Sequence, residues 1–168
     1  TRIRFPGNTA IGPCFLPDNR VAVSLSTGPY PDIFLPDRPF TRERALEQSS
    51  AINVSPSFDA TGTKMAFTSN RLGGPQVFLK DLNTGTVTRV SKEGSYNSEP
   101  CISPDGTLIA YTKGTPQGFR IFVYDMVTGF DQQVSYGPGS DEQPAFAPDS
   151  YFVAFTSTRS GKQQIYLT

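Results

Sequence analysis

The chain has no histidine and no tryptophan, and only two cysteines and two methionines among its 168 residues. Without histidine it lacks the commonest general base and most zinc-ligand sets. No Gly-x-Ser-x-Gly elbow is present, and no glycine-rich phosphate loop follows a strand and opens a helix. These gaps predict a protein that is not an enzyme, with no catalytic residues, no metal and no cofactor. A charge bias is missing as well: 15 basic and 15 acidic residues give a formal net charge of zero, with no long run of either sign. Nucleic acid and anionic membrane surfaces therefore find no footprint to recognise. An apolar run of about eighteen residues, as a membrane-spanning helix requires, does not occur, so direct membrane insertion is not expected. Neither an initiator methionine nor a basic, apolar leader opens the chain at Thr1. That is expected of a processed product or of a piece of a longer protein.

Aromatics and turn formers are plentiful: 13 Phe, 7 Tyr, 15 Gly and 15 Pro. Their arrangement is periodic. Pro100-Cys101-Ile102-Ser103-Pro104-Asp105-Gly106, followed by Leu108-Ile109-Ala110-Tyr111, reads as strand, tight turn, strand. It recurs from Pro56 to Phe67, from Pro144 to Phe155 and, more loosely, from Pro13 to Val23, with leading prolines 43, 44 and 44 residues apart. A period of this length marks an array of small supersecondary units. Ala22, Ala66, Ala110 and Ala154 repeat at 44, and so do Phe34, Phe78, Phe122 and Tyr166. A small residue on the second strand beside an aromatic on the third leaves room for a ring on the neighbouring face of a closely stacked sheet. Asp81-Leu82-Asn83-Thr84-Gly85 and Asp125-Met126-Val127-Thr128-Gly129 read as hairpins into a fourth strand. In the first of them Asn83 bonds its own backbone and Gly85 supplies a positive φ.

Four short strands per 44 residues, in units unable to bury both faces alone, fit the blades of a β-propeller. The expected fold class is all-β: a propeller of four-stranded antiparallel blades, about four of them present. Residues 1–168 then form a partial or small propeller domain with approximate repeats 9–50, 51–94, 95–138 and 139–168. The first repeat is irregular, with Pro31, Pro36 and Pro39 around its third strand. Its fourth strand falls near Thr41–Leu46, where Arg42–Gln48 also has helix propensity. The last repeat lacks a fourth strand. Residues 1–5 have the character of one, because Thr1 precedes Cys14 by 13 residues as Thr88 precedes Cys101; they belong to a flanking blade or close the ring. In an excised piece, open blade edges would allow an edge-mediated dimer. Cys14 and Cys101 share one repeat slot with Ser57 and Ala145, a buried place for a small side chain, and repeat geometry argues against a disulfide between them.

The runs Pro56-Ser57-Phe58 through Ala66-Phe67-Thr68-Ser69-Asn70-Arg71 and Pro75 through Gly85 resemble the repeats of the TolB family, periplasmic proteins of the Tol–Pal system. Gly94-Ser95-Tyr96-Asn97-Ser98-Glu99-Pro100, Ala154 through Arg159 and Gln164-Ile165-Tyr166-Leu167 resemble them too. The likeness is strong over residues 50–168 and weak before. It implies a six-bladed propeller, of which this chain is a fragment, preceded by a smaller α/β domain. It also implies a periplasmic, non-enzymatic scaffold that binds the peptidoglycan-associated lipoprotein Pal and other Tol proteins, supporting outer-membrane integrity and cell division. Similar blades occur as gating or substrate-selecting propellers of prolyl-oligopeptidase-type serine peptidases, which is the alternative reading.

The repeated aspartates, Asp18, Asp105 and Asp149, read as turn residues. The partner-binding candidates lie in the links between units. Tyr96, Asn97 and Glu99 correspond to Asp141, Glu142 and Gln143 in the next link; Tyr and Asn suit recognition, and carboxylates steer a basic partner. The same groups can equally cap turns. Arg71 and Arg159 recur after the second strand, where they can meet a partner's carboxylate or brace a neighbouring blade.

Overall fold

The computed structural model describes residues 9–37 and 43–168, so the strand expected at residues 1–5 lies outside the described residues. The first sheet comprises β1 (Ala10–Phe15), β2 (Val21–Leu25), β3 (Asp32–Pro36) and β4 (Glu43–Glu47). The second comprises β5 (Asn53–Phe58), β6 (Lys64–Leu72), β7 (Gly74–Asp81) and β8 (Val87–Arg89), and the third β9 (Asn97–Ile102), β10 (Leu108–Thr115), β11 (Gly118–Asp125) and β12 (Asp131–Gln133). Among the described residues the fourth has three strands, β13 (Asp141–Phe146), β14 (Val153–Ser157) and β15 (Gln164–Leu167). Each sheet is an antiparallel meander in chain order, and the first strands β1, β5, β9 and β13 lie side by side at the axis of an all-β propeller. The segment with helix propensity is strand β4, paired to β3. A helix of seven residues is too short to hold itself, whereas pairing to β3 buries Leu46 in the first inter-sheet core.

The turns follow from aspartate chemistry. Asp105 Oδ1 accepts from Ser103 Oγ (2.6 Å), the Thr107 N–H (3.0 Å) and Thr107 Oγ1 (2.9 Å). At the β7–β8 hairpin the bonding differs from expectation: the Asn83 and Thr84 N–H groups donate to Asp81 Oδ1 at 2.9 and 2.8 Å. The ionised carboxylate is the stronger acceptor and outcompetes the Asn83 amide. Gly85 carries the positive φ, 78°.

Three buried clusters lie between successive sheets. Ala22, Ile33, Leu35 and Leu46 of the first sheet face Met65, Phe67 and Phe78 of the second. Ala66, Val77 and Val90 face Ile102, Ile109, Tyr111 and Phe122; Ala110 and Ile121 face Val153, Phe155 and Tyr166. Ala22, Ala66 and Ala110 therefore each face the aromatic pair of the following sheet. That pair is itself in cross-strand ring contact: Phe67–Phe78 and Phe155–Tyr166 are stacked with centroids 5.8 and 6.2 Å apart, and Tyr111–Phe122 is tilted at 6.1 Å. Ala110 is fully buried, so Ala110→Leu is expected to overpack the third interface and lower stability by about 1–3 kcal/mol in urea denaturation. The same change at half-buried Ala154 costs much less.

Cys14 and Cys101 are free thiols, partly buried at the axis. Burial raises the pKa of both, against the opposing effect of the Phe58 and Phe146 amides respectively. In the same slot Ser57 Oγ accepts the Ile102 N–H at 3.0 Å, tying the second sheet to the third.

Candidate binding cleft at the propeller axis

Every axial strand is interrupted by a bulge, seen as a register shift between β1 and β2, β5 and β6, β9 and β10, and β13 and β14. In each, the residue before the leading proline takes a left-handed conformation: Gly12 (φ 59°), Ser55 (55°), Glu99 (53°) and Gln143 (58°). For the three that are not glycine this conformation costs roughly 1–2 kcal/mol, offset by the hydrogen bonds that hold the bulge. The Glu99 N–H donates to Thr68 Oγ1 of the preceding sheet (3.1 Å), and the Gln143 N–H to Thr112 Oγ1 (3.2 Å) and Glu99 Oε2 (3.2 Å). Thr112 Oγ1 donates to Glu99 Oε2 at 3.0 Å. The bulge residues and their prolines, Pro13, Pro56, Pro100 and Pro144, line an open cleft of about 300 Å³ to which all four sheets contribute. Its charged rim is acidic: burial, then the charge of Glu99, raises the pKa of Glu142.

The candidates from sequence divide into two sets. Glu99 and Gln143 line the cleft, Glu142 neighbours them on β13, and Tyr96 is 40% exposed, its ring 5.2 Å from that of Phe119. Asn97 and Asp141 are fully buried. The Asn97 side-chain amide donates to Gln76 Oε1 and the Glu93 carbonyl, both at 2.9 Å, and Asp141 Oδ1 accepts from Arg159 Nη2 at 3.0 Å. These two offer no surface to a partner and instead tie neighbouring elements. Pairwise alternation along the strand start turns them inward while Tyr96 faces out.

Arg71 and Arg159 are also largely internal. The Arg71 guanidinium lies over the Phe67 and Phe78 rings (5.2 and 4.8 Å to the centroids) and donates to Glu47 Oε1 (2.6 Å) and Asn53 Oδ1 (2.8 Å). Arg159 repeats this over Phe155 and Tyr166 at 5.3 and 4.5 Å. The third sheet has Thr115 at the matching position, and Lys113 takes over, its Nζ 4.3 Å from the Phe122 centroid and 3.4 Å from Asp131 Oδ2. Arg71 reaches the neighbouring first sheet through Glu47, whereas the contacts of Arg159 stay within its own fourth sheet.

Burial raises the Asp141 pKa, but hydrogen bonds from Ser157, Arg159 and Ser135 and the Arg159 charge outweigh it, leaving the carboxyl below its usual value. A depressed carboxylate adds stability that is complete above the unfolded value, about 3.9, and is lost as pH falls through the folded one. Asp141→Asn is therefore expected to flatten the acid limb of a stability–pH curve. An unchanged limb would show that Asp141 does not contribute to it.

Sequence reasoning marked the leading prolines and, as binding candidates, Glu99 and Gln143, but not Gly12, Ser55 or the left-handed bulge that all four residues share. The signal was present in the order Gly12-Pro13, Ser55-Pro56, Glu99-Pro100 and Gln143-Pro144 at the repeat period.

A family model described as the TolB beta propeller domain matches residues 3–137. The chain belongs to the TolB β-propeller family. Among its TolB relatives, the Tol-Pal system protein TolB of Nitratidesulfovibrio vulgaris strain Hildenborough is 75% identical over 73 residues, 44% of this chain and 16% of that protein. A protein TolB homolog of Chlorobium luteolum is 45% identical over 76 residues, 45% of this chain and 17% of that protein. The matched stretch thus spans about a sixth of either relative. The crystal structure of TolB from Acinetobacter baumannii shares the fold, with a TM-score of 0.85 at 23% identity over 96% of this chain and 41% of that one.

Proposed function

We propose that this chain is part of a periplasmic, non-enzymatic scaffold of the Tol–Pal envelope system, and that its four sheets belong to a six-bladed ring. The scaffold binds the peptidoglycan-associated lipoprotein Pal and further Tol components and thereby supports outer-membrane integrity and cell division. The observation that carries the reading is the 75% identity over 73 residues to a Tol-Pal system protein TolB. The axial cleft supplies the contact surface: Glu99 and Gln143 within it, and Glu142 next to Gln143, present acceptors and negative charge to a basic feature of the folded partner, while Tyr96, exposed just before β9, is a further contact. Asn97, Asp141, Arg71 and Arg159 hold that surface in place from inside.

The test is a calorimetric titration of the full-length protein with the lipoprotein's soluble domain from the same organism. Saturable binding that weakens as salt rises is expected. Absence of heat and of co-elution, with both proteins folded, would count decisively against the reading.

A further inference from the structure

A polar pocket of about 250 Å³ opens between the first and second sheets, lined by Tyr30, Ser49, Ser50, Ala51, Asn70 and Arg71. The two later interfaces show how the same place is closed. At the period of 44, Tyr30 corresponds to Gly74 and Gly118, and Ala51 to Ser95 and Gly139. A Cβ added to Gly74 would lie 2.5 Å from the Ser95 carbonyl oxygen, and one added to Gly118 would lie 2.9 Å from that of Gly139. Backbone meets backbone there, at a spacing that only glycine allows. At the first interface tyrosine takes the glycine's position, and the space between it and Ala51 is the pocket.

The polar groups around this space have their acceptors already engaged. Asn70 Oδ1 accepts the Ile52 N–H at 2.8 Å, so its amide nitrogen is the part left for a ligand. Ser49 Oγ accepts from Asn53 Nδ2 at 2.9 Å, which leaves its hydroxyl proton to donate. Arg71 gives Nε to Ser69 Oγ at 3.0 Å and Nη2 to Glu47 and Asn53; among the described residues its Nη1 has no hydrogen-bond partner. The same bonds, with the Phe67 and Phe78 rings, hold the guanidinium in place, so a ligand does not have to order it. Glu47 is shared between Arg71 and Lys80. Asp32, the other carboxylate nearby, does not line the pocket and accepts the Ser49 N–H and the Asn53 amide.

We propose that this pocket is a carboxylate-binding site. One carboxylate oxygen takes Arg71 Nη1 and the other the Asn70 amide, with the Ser49 hydroxyl as a further donor. A planar group that only accepts is the match for a guanidinium and an amide that have only donors to give. The carboxylate belongs either to a small dicarboxylic acid or to an acidic side chain of a bound polypeptide. The pocket shares no residue with the axial cleft, and the proposal does not rest on lipoprotein binding.

The probes are succinate and the capped peptide acetyl-Gly-Asp-Gly-amide, each titrated into the isotope-labelled full-length protein and followed by NMR. Saturable shifts at the Asn70 side-chain amide and at the Ser50 and Ala51 N–H groups are expected with at least one of them, fading as salt rises. Tighter binding of succinate assigns the site to a free acid, and tighter binding of the peptide assigns it to an acidic side chain. Asn70→Asp keeps an acceptor for the Ile52 N–H but sets a carboxylate against the ligand. Read at Ser50 and Ala51, it should weaken binding at least about tenfold. Acetyl-Gly-Asn-Gly-amide, the neutral counterpart of the peptide, should leave all these signals unmoved. The proposal is overturned if neither acid shifts them, if the asparagine peptide shifts them as strongly, or if Asn70→Asp binds as well as the unsubstituted protein. Inorganic phosphate bound more tightly than either acid would overturn it as well.

Discussion

Phe67→Ala is expected to lower the free energy of unfolding by about 3–5 kcal/mol, the range for removing a fully buried aromatic ring. The Phe67 ring has no solvent exposure, stacks on Phe78 and faces Ala22 across the first interface. Ala22 cannot expand to fill the space, and the backbones on both sides are pinned by ladder bonds, so the cavity persists. The ring also supports the Arg71 guanidinium 5.2 Å from its centroid. Its loss loosens the clamp from the second sheet to Glu47. For a domain whose whole stability is of the order of 5–15 kcal/mol, this is a large fraction, read directly from the urea midpoint at constant slope. Phe15→Ala is the comparison, since Phe15 is 71% exposed and should change stability little.

Glu47→Gln is expected to cost roughly 3 kcal/mol, the lower end of the range for breaking a buried pair. Its carboxylate meets two cations, Arg71 Nη2 at 2.6 Å and Lys80 Nζ at 2.7 Å, with 6% of the Glu47 side chain exposed. A glutamine keeps the shape but leaves two positive charges facing each other in a partly desolvated site. Partial exposure of the cation side chains, 23% and 18%, screens that repulsion and sets the lower figure. The triple variant Glu47→Gln, Arg71→Met, Lys80→Met should lose less than Glu47→Gln alone, because the uncompensated charges go with it. If the triple variant were the least stable, ion pairing at Glu47 would not be the source of the effect.

The period of 44 made the sheets legible because each strand end is marked by a residue with one conformational job, such as Gly85 in its hairpin or Asp105 in its turn. Leu46 recurs as Val90 and Val134 at intervals of 44, which fits a strand at β4 rather than the helix of local propensity, and burial of Leu46 against the next sheet decides in its favour. The candidate site was less legible. Tyr96 and Asn97 are adjacent in a polar link, and only strand register separates an exposed ring from a fully buried amide. Arg71, near the end of β6, and Arg159, in the turn after β14, carry charge, yet each folds back over its own sheet's aromatic pair. That return depends on the Asn53 and Asp141 acceptors brought in from another strand. The bulges at Ser55, Glu99 and Gln143 were hidden because nothing in the residue types requires a left-handed backbone there.

The most direct test is amide hydrogen exchange of the full-length protein with and without the soluble domain of its lipoprotein partner. Binding at the axial cleft predicts new protection at the N–H groups of Ser55, Glu99, Glu142 and Gln143, with the outer strands β4, β8 and β12 unchanged. Protection confined to those outer strands, with the axial amides exchanging as before, would contradict it.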